Sequence, residues 1–371
     1  MFFKPHSPTS VGAALLGLAC VLTTLPVSNA HAKKKAHTAA HKGGHATHQP
    51  TEASVAYGRS EAVLAFARQV SERHPELDRV WVENVLQDAR RLPIVERLIM
   101  PAATPSAKNW MVYRARFMDP LRQQEGRRFL KTHAQALQRA EDRYGVPAEV
   151  VAAIIGIETI YGRNTGNFRI LDTLATLSFN FPTGRSDRSG FFRSELEQFL
   201  VLCKRDHLDP LSARGSYAGA MGLAQFMPGT WLNYAVDFND DGRIDLLNDT
   251  TDVIGSVAAY LHASGWQRGV PTHFAVSPPK SDTALATLLG PDIQPSFSAY
   301  QFTNLGAQLD QAGQEYPELL ALVMLRNGTE LPPDFVAGTS NFWAISRYNW
   351  SAYYTMAVIE LSQALANRRQ K

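Results

Sequence analysis

Cysteine is almost missing: the 371 residues hold only Cys20 and Cys203. Cys20 lies in an N-terminal apolar run that reads as a leader, so the mature chain is left without a disulfide partner for Cys203. Cys203 follows Phe199-Leu200-Val201-Leu202, a packed helix face on which a small thiol is a core residue rather than a nucleophile. Excess charge is missing too. A formal net charge of +3 is too weak for a nucleic-acid surface, and no dense basic patch is interleaved with stacking aromatics. No internal repeat occurs. Apart from Val11 to Leu25 there is no long apolar run, and that one is short of the ~20 residues a membrane span needs. What remains is ordinary globular composition, 45% hydrophobic and 19% charged, with length enough for two or three structural units.

The first residues carry address rather than fold. Lys4 precedes the apolar run, and Ala30-His31-Ala32 closes it with small residues, the pattern of a secretory signal cleaved after Ala32. A lipoprotein anchored at Cys20 is the weaker reading. Gly17 stands where a lipobox wants an aliphatic residue, and the run continues past Cys20. Only lipidation there would bring the protein to a membrane. Residues 33–58 hold Lys33, Lys34, Lys35 and Lys42 with His37, His41, His45 and His48, and hardly any large apolar residue. Such a stretch cannot pay for its own ordering and reads as a solvated tether that could touch an anionic wall or membrane surface.

From Ser60 onward apolar residues recur at helical spacing, as in Val63, Phe66, Ala67 and Val70. Helices are expected over 127–144, 147–161, 193–206, 252–264 and 351–367, with Gly162 and Gly166 ending the second. Residues 270–340 differ. Eight prolines and short runs such as His273-Phe274-Ala275-Val276 predict a small insertion of strands and a helix or two.

The sharpest anomaly is Glu158. Val151, Ile154, Ile155 and Glu158 are spaced i, i+3, i+4, i+7 and share one helix face, which puts a carboxylate on the stripe that should be buried. A buried carboxylate must be paired, protonated or functional. A structural ion pair satisfies that demand. So does a general acid for a glycosidic oxygen, whose pKa an apolar surround would raise. Most glycosidases use two carboxylates. Glu195, Glu197 and Asp209 are candidates for the second, and context singles out none of them.

A second segment, Ser216 to Pro228, is dense in Gly and Ala, which let a backbone or a flat ligand approach closely. A tight helix-packing seam with Ser216 as N-cap explains it equally well. Gln225 is the odd polar residue before Phe226-Met227-Pro228. At this point four ordered strings come together: Ile155-Gly156-Ile157-Glu158-Thr159, Leu174-Ala175-Thr176-Leu177-Ser178-Phe179-Asn180, Gly219-Ala220-Met221-Gly222 with Gln225-Phe226-Met227-Pro228, and Arg347-Tyr348-Asn349. Together they closely resemble the membrane-bound lytic murein transglycosylase B family, lysozyme-like enzymes acting on peptidoglycan. The similarity covers about residues 60–371 and is weak in 270–340.

The resemblance implies a mainly α (α+β) fold. Residues 59–145 would form an N-terminal helical domain, and 146–269 with 341–371 a lysozyme-like core, interrupted by the 270–340 insertion. It implies a monomeric periplasmic enzyme whose partner is the glycan strand, with other cell-wall enzymes as further partners. Glu158 would be the single acid/base. Ser216, Gln225, Tyr260, Tyr348, Asn349, Tyr354 and Tyr113 would line the saccharide cleft. Arg188 fits one of the family's paired arginines, and Arg185 stands near the place of the other. A hydrolytic muramidase and a non-catalytic wall-binding protein are the competing readings.

Asp237-Phe238-Asn239-Asp240-Asp241-Gly242-Arg243 matches the start of an EF-hand loop. Asp237, Asn239 and Asp241 would give side-chain oxygens to calcium and Arg243 its carbonyl. The twelfth place holds Asn248 instead of a bidentate Glu. The resembling family uses a later aspartate, which is Asp252 here or, alternatively, Asp249. Such a calcium would be structural, and no organic cofactor is implied. A plain Asx-rich turn is the bland alternative.

Overall fold

The structure is a computed structural model that describes residues 54–101 and 108–367. The expected signal peptide, Cys20 and nearly all of the tether lie outside the described residues. The tether's last residues do not behave as tether. Val55–Ala56 pairs antiparallel with Arg90–Arg91, and the Tyr57 hydroxyl donates to Asn180 Oδ1 at 2.6 Å. Two backbone pairings and one aromatic anchor order a stretch whose composition looked featureless.

The N-terminal part is helical. Glu61–Arg73 buries Val63, Phe66, Ala67 and Val70, the stripe read from spacing. The helix expected over 127–144 is two helices, Pro120–Thr132 and Ala134–Tyr144. Asp119 caps the first, whose Pro120 is pre-set for the opening turn. His133 leaves helical geometry at φ −110°, ψ 25° and divides the two.

The core is built on Ala148–Thr159, with Pro147 as its N-cap residue. The expected single buried face understates this helix. Ala148, every residue from Val150 to Ile157, and Thr159 are all buried. A helix apolar all round belongs inside a core. Its two glutamates, Glu149 and Glu158, are the residues that keep some exposure, one near each end. Ala352–Ala366 and Pro120–Thr132 pack against it. Its end is unlike the expectation that Gly162 and Gly166 stop it. Ile160 (φ 53°) and Tyr161 (φ 56°) turn left-handed first, a conformation costly for β-branched and bulky side chains. The expected 193–206 and 252–264 helices are Ser189–Arg205 and Thr250–Ala263.

The insertion has its own small core of Phe274, Leu288, Ala299, Phe302, Leu309, Leu320, Leu322 and Ala337. Its sheet is antiparallel. His273–Ser277 pairs on one side with Gln308–Leu309 and on the other with Leu331–Gly338, which pairs in turn with Ala321–Asn327. Short helices, among them Asp282–Leu289 and Ala299–Asn304, complete it. The chain is therefore α-rich with a small β-containing insertion.

Candidate active site

Glu158 is the last residue but one of the apolar helix and is half-buried there. Burial pushes its pKa up to about 7, against the opposing hydrogen bond from Tyr354. That bond is short: the Tyr354 hydroxyl donates to Glu158 Oε1 at 2.6 Å. Ala352–Ala366 carries Tyr354 in its first turn, where Ser351 caps the helix through the Tyr354 N–H. The cap thus sets the start of the helix and, with it, the height of the tyrosine over the carboxyl.

The structure gathers several expected cleft residues around this pair. The Tyr348 and Tyr354 rings lie 6.3 Å apart and nearly parallel. Tyr348, Tyr354 and Tyr113 all have hydroxyl pKa values raised first by burial and then by the Glu158 charge. All three are thus within electrostatic reach of it. Tyr348 donates to the Ala224 carbonyl, and its ring meets those of Phe226 and Tyr260 at 5.7 and 5.1 Å. Tyr260 donates to the Arg347 carbonyl. Asn349 sits partly buried between Tyr348 and the Ser351 cap.

The small-residue segment is not a helix seam. It is a run of turns stitched by bridges between Gly215 and Met221 and between Met221 and Phe226. Ser216 is not an N-cap. Its hydroxyl oxygen, buried in the turn, accepts from the Ala218 and Ala220 N–H groups. Gln225 takes a left-handed φ of 50° and donates its amide to the Thr165 and Gly222 carbonyls. Arg188 packs against its own neighbours in sequence. It precedes Ser189–Arg205 and lies over the rings of Phe191 and Phe192, while Arg185 donates to the Ile99 carbonyl. Burial and the neighbouring Arg185 charge both lower the Arg188 pKa, so the two arginines are close.

The candidate second carboxylates are engaged elsewhere. Glu195 accepts from the Gly229 N–H, Glu197 pairs with Arg73 and His74, and Asp209 accepts from the Leu211 N–H. None of them perturbs Glu158.

Two supporting residues were given no role from sequence, although Thr159 stands in the first of the four ordered strings. Thr159 donates its hydroxyl to the Leu223 carbonyl at 3.0 Å, joining the end of the Glu158 helix to the small-residue segment. Arg122 is buried and donates Nε to the Gly156 carbonyl at 2.8 Å. A buried arginine is unusual. Its place in a polar stretch of sequence gave no hint that it reaches a helix from a different part of the chain.

The EF-hand-like loop folds onto itself. Asp237 oxygens accept from the Asp241 and Gly242 N–H groups, and Asp241 Oδ1 accepts from Arg243 N–H. Gly242 turns at φ 85°. Asp252, expected as the last ligand, is 1% exposed and its two oxygens accept from the Phe238 and Asp245 N–H groups. Asp249, the alternative, accepts from the Asn239 amide through Oδ2 at 2.8 Å, and Asp241 Oδ2 accepts from the same amide at 3.1 Å. No ready-made cluster of three His, Cys, Asp or Glu for a metal occurs among the described residues. The donor chemistry nonetheless suits a hard cation, since Asp237, Asn239 and Asp241 offer side-chain oxygens and Arg243 a backbone carbonyl.

A profile of the transglycosylase SLT domain matches residues 59–363. The chain belongs to this family. It is 39% identical over 301 residues to membrane-bound lytic murein transglycosylase B of Escherichia coli, covering 79% of each chain. Soluble lytic transglycosylase SltB1 of Pseudomonas aeruginosa has a similar structure, with TM-score 0.73 and 36% identity over 84% of this chain and all of that one. The E. coli lytic transglycosylase Slt35, solved in complex with calcium, gives TM-score 0.71 and 37% identity over 84% of this chain and 94% of that one. The expected fold and family are thereby confirmed, and the chain is a peptidoglycan lytic transglycosylase.

Proposed function

We propose that Glu158 is the single acid/base with which this transglycosylase cleaves the β-1,4 bond between N-acetylmuramic acid and N-acetylglucosamine. The observation that carries the reading is a carboxyl raised to about 7 by burial, held by Tyr354 and within electrostatic reach of Tyr113 and Tyr348. At that pKa a large share is protonated at neutral pH, as a general acid requires.

Glu158 gives its proton to the bridging oxygen as the C1–O4 bond breaks, and N-acetylglucosamine leaves with a free 4-hydroxyl. The muramyl 2-acetamido carbonyl stabilises the developing positive charge at C1, which removes the need for a second carboxylate. Ionised Glu158 then takes the proton of the muramyl 6-hydroxyl. O6 bonds to C1, leaving a 1,6-anhydro end and restoring the acid, with no water consumed. Tyr354 steadies the ionised form between the two transfers. Ser216, Gln225, Tyr260, Tyr348, Asn349 and Tyr113 hold the sugars, and Arg188 contacts the substrate farther along the strand.

The test is a carboxylate scan in a murein-clearing assay. Glu158→Gln abolishes clearing, while Glu197→Gln and Asp209→Asn retain it. A second carboxylate whose loss is equally severe would contradict the single-residue mechanism.

The loop at 237–249 binds calcium through Asp237, Asn239, Asp241 and the Arg243 carbonyl, with Asp249 rather than Asp252 as the last side chain. The ion would brace the loop and take no part in proton transfer. The leader exports the protein to the periplasm. Membrane attachment through Cys20 remains the weaker alternative, and among the described residues no helix is long and apolar enough to cross a membrane.

A further inference from the structure

A cavity of about 410 Å³ is lined by residues of the insertion and of the core, beside the first turn that carries Tyr354. Four separate stretches of chain build it. Ile293 and Leu322 supply buried apolar surface, Trp350 and Tyr353 supply aromatic walls, and Lys108 and Arg326 supply cations. Backbone pairing fixes the cations near one another. Asn109 bridges Asn327, and the Gly328 N–H donates to the Lys108 carbonyl. The Tyr353 hydroxyl accepts from the Arg326 N–H at 2.8 Å, locking strand to helix.

Neither Lys108 nor Arg326 has an ion-pair partner among the described residues. Among the described residues the one acid on the cavity wall is Asp292, which accepts from the Trp350 indole N–H at 3.3 Å and leaves the wall net positive. The cavity is also tied to the cleft. Tyr353 adjoins Tyr354, which touches Glu158, and the Tyr353 ring meets that of Tyr113 at 5.7 Å.

We propose that this cavity holds an acidic peptide stem of the same glycan strand, an inference that rests on the proposed substrate. The sugars of that strand are neutral once the lactyl carboxyl of the muramic acid is in amide linkage to the stem. Its anionic groups are then on the stem peptides. Two cations without protein partners match free peptide carboxylates, and the apolar floor with its aromatic walls suits alanyl methyl groups.

The experiment compares wild type with Lys108→Gln/Arg326→Gln on two substrates: murein strands bearing stems, and the same strands stripped of stems by an amidase. The double variant is expected to lose about tenfold in its kcat/KM preference for stem-bearing strands, chiefly through KM, as two partly solvated ion pairs allow. A titration of free tetrapeptide stem into the Glu158→Gln protein reads binding without turnover. It should show saturable binding that the two cation substitutions weaken. An unchanged substrate preference, or tetrapeptide binding indifferent to both cations, overturns the proposal. Failure of wild type to cleave either strand, with tetrapeptide binding intact, overturns the catalytic reading instead.

Discussion

Glu158 and Tyr354 stand 196 positions apart in sequence and 2.6 Å apart in the cleft. The glutamate was legible because a carboxylate on an apolar helix is an anomaly at any distance from its partner. The tyrosine was not legible from residue type or spacing; only the family resemblance marked it, since nothing local links the first turn of the last helix to the Glu158 helix. The pair gives two expectations. The hydrogen bond from Tyr354 opposes the effect of burial. Tyr354→Phe therefore raises the Glu158 pKa further and moves the alkaline limb of the kcat/KM profile to higher pH. A limb that stays near 7 or moves down contradicts the assigned role. The second concerns stability. Glu158 has a folded pKa above its ordinary value, so its contribution is fully present below about 4.5 and is lost as pH rises through about 7. Glu158→Gln keeps the acceptor for Tyr354 and removes the titration. It should gain on the order of 2 kcal/mol over wild type at pH 8.5 and little at pH 4, read from denaturant unfolding at both.

At the scale of elements, the end of the Glu158 helix explains where the carboxyl points. Ile160 and Tyr161 turn left-handed, and the Tyr161 ring wedges against two glycines on adjacent helices. A Cβ built on Gly126 or Gly156 would lie 2.3 or 2.4 Å from the Tyr161 hydroxyl oxygen. Expecting Gly162 and Gly166 to stop the helix was reasonable from residue type. It failed because tertiary packing of one tyrosine outweighed backbone preference. Gly156→Ala should cost about 1–3 kcal/mol as the wedge shifts and lower kcat more than it raises KM. Wild-type stability in that variant would show that the turn is not held as described. The metal loop teaches a related lesson. Its Asx spacing was plain in sequence, but the hydrogen bonds of Asp252 were not, because its oxygens accept from the backbone of Phe238 and Asp245, fourteen and seven positions earlier. Millimolar calcium added after chelation should raise the melting temperature, and Asp241→Ala should abolish the rise. An identical melting temperature with and without calcium would remove the ion from the account.

For the whole molecule, helical content and the site of the insertion were readable from apolar spacing and from the prolines between 271 and 333. The order of its strands was not. His273–Ser277 takes both its partners from later in the chain, and short strands carry no label for such pairing. The convergence of three chain regions on one cleft was equally hidden, although the separate motifs were each visible. In the proposed mechanism that convergence lets one carboxyl serve as acid and then base while the substrate's own 6-hydroxyl closes the ring. The most direct test is mass analysis of muropeptides released in oxygen-18 water. The account expects 1,6-anhydro ends without solvent oxygen from wild type and no release by Glu158→Gln. Reducing ends carrying oxygen-18 would show that water attacks C1 and would contradict it.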